Sequence, residues 1–121
     1  MAILSNEAKT LIASLHPAMV ATADGSGRPN VSPKGSFMVL DDEHVAFADV
    51  HSPHTIANLR QNPQVSAIVY DPATRHGCRV WGPAEVFTSG DAFDKISAAL
   101  AARNMKANHV VIVAVDEYLT F

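Results

Sequence analysis

The stretch FADVHSPHTIANLRQNP, residues 47–63, concentrates groups suited to holding an anion. Ser52 is a residue type that caps helices, and Pro53 suits a first helical position because its missing N–H would go unpaired there anyway. The amides of His54 and Thr55 then point out of the helix end without an intrahelical acceptor. Ser52 and Thr55 add hydroxyls, and His54 adds a ring that is either cationic or a neutral donor. Such a turn fits a phosphate. Taken alone, it is also a well-made helix start, and many such starts bind nothing.

A second constellation lies upstream, in GRPNVSPKGSF. Asn30, Ser32 and Lys34 fall at alternate positions and so share one face of an extended strand, with Val31 on the other. Pro33 and Gly35 interrupt the strand and release backbone groups. That face suits a polar planar ligand, or an edge strand showing its polar side to water. Arg79 and Trp81 alternate in the same way after the loop DPATRHG, so both side chains face one way. His51 and His54 form an H-x-x-H pair with no third ligand nearby and Pro53 fixing the turn, so no metal is expected. His16, His44, His76 and His109 are scattered and read as structural or exposed. Cys78 has no adjacent base or second cysteine, which makes it a packing residue and not a nucleophile. No Gly-x-Ser-x-Gly signature of a hydrolase is present.

Positioning these groups requires short strands and few helices. Ser5 can cap a first helix with Glu7 in its first turn, and Ala8, Leu11, Ile12 and Leu15 fall on one face before Pro17 closes it. Ala18–Ala23 reads as a buried strand, followed by the turn Asp24–Gly25–Ser26–Gly27. Arg28–Leu40 is extended but broken by its prolines and Gly35. His44–Val50 is a further strand, and Pro53–Gln61 a helix stopped by Asn62–Pro63. Gln64–Tyr70 and Arg79–Thr88 are two more β runs. Asp91 or Ser89 can cap a helix that turns Phe93, Ile96 and Leu100 inward, and His109–Val115 is a β-branched run typical of a fully buried strand. About six strands with three peripheral helices fit no α/β alternation, so the expected class is mainly β (α+β), an antiparallel barrel. The aromatic tail, with Tyr118 and Phe121, either frays or docks on a ligand or partner.

Bulk properties narrow the function classes. A chain of 121 residues, 48% hydrophobic and 17% charged, suits one folded domain spanning 1–121. A net charge of −3, without a basic block, gives nucleic-acid binding no support. The lone cysteine rules out a disulfide framework and suits a reducing compartment. The polar N-terminus does not resemble a signal peptide, and no run approaches the ~18 apolar residues of a membrane span. The expected localisation is cytoplasmic, with no membrane partner.

Taken together, ATADGSGRPNVSPKGSFMVLDDEHVAFAD, then SPHTIANLRQNPQVSAIVYD, then GCRVWGPAEV resemble the pyridoxamine 5'-phosphate oxidase-like FMN-binding family, closely over residues 18–88. The length and the ending VVIVAVDEYLTF are similar to its small single-domain FMN-binding members. The resemblance implies a split β-barrel homodimer with FMN at the subunit interface. It implies that Asn30, Val31, Ser32, Pro33 and Lys34 line the flavin ring and ribityl chain, and that Ser52, His54 and Thr55 hold the phosphate. Asn58 would stabilise the helix turn. Arg79 and Trp81 would lie near the flavin, often with the partner subunit, and Trp81 would stack on the isoalloxazine or pack in the core or dimer contact. Lysine often stands in the place of His54. Imidazole charge near neutrality depends on its surroundings, so FMN affinity is expected to fall between about pH 6 and about pH 8.5. The implied activity is that of an FMN-dependent oxidoreductase, with no catalytic acid or base assigned. A flavin carrier without its own substrate, or a deazaflavin- or haem-binding relative, is the alternative. True pyridoxamine 5'-phosphate oxidase activity is not expected, since that enzyme carries a basic C-terminal substrate region where this chain reads DEYLTF.

Overall fold

The computed structural model describes residues 2–121. In chain order the elements are α1 (Asn6–Ser14), β1 (Ala18–Ala23), β2 (Pro29–Lys34), β3 (Met38–Val39), β4 (His44–Asp49), α2 (Pro53–Gln61), β5 (Gln64–Asp71), β6 (His76–Phe87), α3 (Asp91–Ala101), β7 (His109–Ala114) and β8 (Glu117–Thr120). All strand pairs are antiparallel, in the order β2-β1-β5-β6-β7-β4-β3, with β8 on the far edge of β6. This is a mainly β split barrel decorated by three helices, the class expected from the sequence.

The long strand β6 makes the split. Its first part, His76–Pro83, pairs with β5, and Ala84–Phe87 pairs with β7. The exchange happens at Gly82, where a Cβ would lie 1.9 Å from the Ala114 carbonyl oxygen. Only glycine permits that backbone approach. Gly77 plays a similar part at the other end, beneath the ring of Phe121.

Two apolar clusters hold the barrel. The larger fills its interior with residues such as Val45, Phe47, Val80, Val111 and Val113, closed by Ile12 of α1 and by Ile56 and Leu59 of α2. The smaller lies where Ile96 and Leu100 of α3 cover Ala46, Ala48 and Val110. Strands β4 and β7 are therefore buried on both faces. That is why HVAFAD and HVVIVA lack the polar alternation of a half-exposed strand.

Among the described residues eight strands form where about six were expected. The two additions are β3, only two residues long, and β8, which pairs the aromatic tail to Cys78–Trp81 of β6. The tail is further pinned by reciprocal bonds of 3.0 Å between Phe121 and Gly77, so it docks instead of fraying. Local pattern carries little signal for either: β3 spans only two residues of a hairpin with β4, and β8 is stabilised by a partner distant in sequence. Strand β6 also starts at His76 and not at Arg79. Helix α1 is capped as expected, Ser5 Oγ accepting from the Ala8 amide at 3.1 Å. Helix α3 is capped by neither Ser89 nor Asp91. Gly90, at φ 99°, occupies the cap, and Asp91 and Asp94 lie in the first turn, where their charges complement the helix dipole. No helix among the described residues is long and apolar enough to cross a membrane.

Candidate functional site

Helix α2 is held against the barrel by its apolar stripe and by Asn58, whose Nδ2 donates to Thr22 Oγ1 of β1 at 3.1 Å. Asn58 thus anchors the helix to the sheet and does not brace its first turn. The docking places the start of α2 beside edge strand β2. Between them lies a cleft of about 210 Å³ lined by Asn30, Val31, Ser32 and the turn His51–Thr55. The two constellations singled out in the sequence, 18 residues apart at Lys34 and Ser52, meet here.

Strand β2 alternates as expected. Asn30, Ser32 and Lys34 turn inward, opposite Thr22, Val20 and Ala18, while Val31 and Pro33 turn outward. Lys34 is 6% exposed, and its Nζ donates to Ser52 Oγ and sits 6.0 Å from the Phe47 ring centroid. Burial pushes its pKa down, and the Asp49 carboxylate pushes it partly back up. Asp49 is itself buried, with Oδ2 held by His109 Nδ1 at 2.8 Å and Oδ1 without a partner.

Ser52 does not cap α2, contrary to the sequence expectation: its backbone lies at φ −136°, ψ 69°, and its hydroxyl is engaged by Lys34. The first amides of α2 consequently have no side-chain acceptor, which leaves the positive end of the helix directed at the cleft. Thr55 lines the cleft but is 1% exposed, and its Oγ1 has no partner. His54 is exposed at the rim. An uncapped helix start, an orphaned hydroxyl and a polar strand face form a donor-rich cradle of the kind that a phosphate fits.

The cleft extends at both ends. Beyond Asn30 and His54 it opens into a space of about 260 Å³ that adds Asp24, Arg28, Pro29 and Asn58. Past His51 and Ser52 it meets a space of about 300 Å³ lined by Pro33, Lys34, Gly35 and Met105, among others. A groove along β2 of this kind suits an elongated ligand with one anionic end. His51 and Arg28 are additions that sequence reading missed. In the sequence His51 stands only as half of an H-x-x-H pair, and among the described residues no group of three or more His, Cys, Asp or Glu could hold a metal ion. Arg28 sits in the β1–β2 turn organised by Asp24, whose Oδ1 accepts from the Ser26 and Arg28 amides at 2.9 Å; its position beside His54 follows only from the register of β2.

Arg79 and Trp81 lie elsewhere in the chain. They face outward on β6, the Arg79 guanidinium 5.8 Å from the Trp81 ring centroid. Strand pairing places Val31, Ala21, Ser66 and Trp81 in one row, and Pro33, Met19, Ile68, Arg79 and Leu119 in the next. Trp81 is thus three strand spacings, about 14 Å, from Val31 at the cleft rim. On this same outer face Met19, Val31, Tyr70, Leu119 and Phe121 are all exposed. Cys78 is buried with its thiol pushed up to about 11 by desolvation, then by Glu7, which keeps it in the packing role expected.

Comparison with known proteins agrees with this architecture. A search of curated protein sequences finds no match. Among solved structures, HupZ of Group A Streptococcus superimposes with a TM-score of 0.92 at 28% identity, over 98% of this chain and 94% of that one. An FMN-binding protein from Syntrophomonas wolfei gives 0.83 at 19% identity over 93% and 82% of the two chains. HutZ, the haem storage protein of Vibrio cholerae, gives 0.72 at 22% over 100% and 94%. The last two are likenesses of fold. A family model described as pyridoxamine 5'-phosphate oxidase matches residues 4–120, nearly the whole described chain. With the split barrel, the β2–α2 cleft and that match in agreement, the chain belongs to the pyridoxamine 5'-phosphate oxidase family.

Proposed function

We propose that the chain is an FMN-binding flavoprotein that works as a homodimer, with the cofactor's phosphate at the Ser52–Thr55 turn. The observation that carries the reading is the uncapped start of α2 facing the polar side of β2 across a cleft of about 210 Å³. Ser52, His54 and the first α2 amides hold the phosphate, and Thr55 lies beneath them. Asn30 and Ser32 face the ribityl chain and the ring, with Val31 and Pro33 at the rim and Lys34 behind Ser52. Bound FMN supplies hydride or electron transfer, while the protein supplies orientation and electrostatics. A second copy covers the outer face of β1, β5, β6 and β8, where Met19, Tyr70, Leu119 and Phe121 are exposed. That copy brings Arg79 and Trp81 of the partner subunit toward the flavin.

The chemistry favoured is that of an FMN-dependent oxidoreductase; a flavin carrier without its own substrate is the alternative. Haem is a second reading, suggested by the likeness of fold to a haem storage protein. The visible spectrum of the purified protein, with released cofactor identified by mass, separates these. Flavin bands with FMN released support the proposal, and a Soret band supports haem. A colourless protein that also fails to bind added FMN overturns it. Rapid reduction by NADH or NADPH then favours an enzyme over a carrier. Ser52→Ala combined with Thr55→Ala should weaken FMN binding with the fold intact, and unchanged affinity would displace the phosphate from this turn.

A further inference from the structure

The two helices that begin with a serine use it in opposite ways. In α1 the Ser5 hydroxyl accepts from the helix at Ala8. In α2 the Ser52 hydroxyl makes no cap bond and instead receives the Lys34 ammonium. An ammonium has donors only, so it occupies a lone pair of Ser52 Oγ and leaves the hydroxyl proton free to be given elsewhere. Lys34 is in turn fixed by its surroundings. It is 6% exposed, lies over Phe47, and faces Asp49, which is 4% exposed and anchored by His109. Ser52 itself lines the cleft beside the buried, unpartnered Thr55 hydroxyl.

We propose that Lys34, backed by Asp49 and His109, is a positioning residue that converts Ser52 from a helix cap into a hydrogen-bond donor for the ligand's phosphate. The inference rests on the FMN reading for the identity of the ligand. It assigns Lys34 a task different from contact with the flavin ring. By holding Ser52 away from the helix, the pair keeps both the hydroxyl proton and the first α2 amides available to one anion. Asp49 balances the buried ammonium, which would otherwise be costly to retain. His109, 60 residues away on β7, orients that carboxylate.

The test is a double-mutant cycle read by quenching of flavin fluorescence, with FMN and with riboflavin, which lacks the phosphate. Ser52→Ala and Lys34→Met should each weaken FMN about tenfold, the loss of one charge-assisted hydrogen bond. The double variant should be no weaker than the worse single one, and riboflavin affinity should be unchanged in all of them. Additive losses would mean that Lys34 touches the phosphate itself, and a parallel loss of riboflavin would place it at the ring; either overturns the proposal, as does full affinity in Lys34→Met. Should Lys34→Met fail to fold, Lys34→Gln, which keeps a donor for Ser52 Oγ, should retain FMN affinity within about twofold, and a tenfold loss there would overturn the proposal. If the wild-type protein binds neither flavin, the FMN reading fails by itself. The proposal is then judged with inorganic phosphate, whose thermal stabilisation of the wild type should vanish equally in both single variants. Stabilisation that survives Lys34→Met would overturn the proposal there as well.

Discussion

Introducing a charge at Met19 is the sharpest test of the proposed dimer. Met19 is 40% exposed in the row Pro33–Met19–Ile68–Arg79–Leu119, one strand in from the β2 edge, and its side chain points away from the core. Around it Val31 is 59% exposed, Tyr70 47%, Leu119 52% and Phe121 41%. Together these leave on the order of 400 Å² of apolar surface, worth about 10 kcal/mol per protomer if covered, before the costs of association. Met19→Asp places a carboxylate too short to reach solvent within that face. An unpaired buried charge costs roughly 3–5 kcal/mol, and a twofold interface buries it twice. The dimer dissociation constant should therefore rise by about four orders of magnitude or more. Within the monomer the only expected loss is about 1 kcal/mol of strand preference. Sedimentation velocity over a concentration series reads the first effect, and urea unfolding reads the second. FMN affinity should fall along with dimerisation, because each cleft then lacks Arg79 and Trp81 of the partner subunit. A Met19→Asp protein that dimerises as tightly as the wild type refutes the assignment of this face. So does a wild type that remains monomeric.

Three further outcomes are expected. His54→Gln should weaken FMN several-fold while His54→Lys, which keeps a cation at the rim, holds its affinity; full FMN affinity in His54→Gln would remove His54 as a phosphate ligand. The Cys78 thiol, raised by burial from 9.0 to about 11, should react with a disulfide reagent near neutral pH about a hundredfold more slowly than an unfolded control. Its contribution to stability is intact below pH 9.0 and lost as pH climbs toward 11, because the unfolded thiol ionises first; labelling rates as fast as the control's would contradict the burial. Gly82→Ala should cost about 3 kcal/mol or more in urea unfolding, since its Cβ would lie 1.9 Å from a backbone oxygen that cannot swing aside. A loss below about 1 kcal/mol would show that β6 and β7 separate easily there.

The sequence by itself determined much of the local structure and part of the site. Ala18–Ala23 and Pro53–Gln61 form over the residues expected, because alternation, a proline at the helix start and Asn62–Pro63 at its end all act within a few positions. The shared face of Asn30, Ser32 and Lys34 was legible for the same reason. Their meeting with the Ser52–Thr55 turn was implied only by a family resemblance, and the docking of α2 on β1 and β2 is what brings them together. The tertiary structure alone decided that Ser52 serves Lys34 and does not cap its helix. A lysine 18 residues upstream outcompeted the amide next to it, because burial left that ammonium few other acceptors. Tertiary structure also decided that Asp49 and His109 stand behind Lys34, and that Arg79 and Trp81 face away from their own chain's cleft. Spacing along the chain encodes which way a side chain points. Strand pairing and burial decide what it meets there.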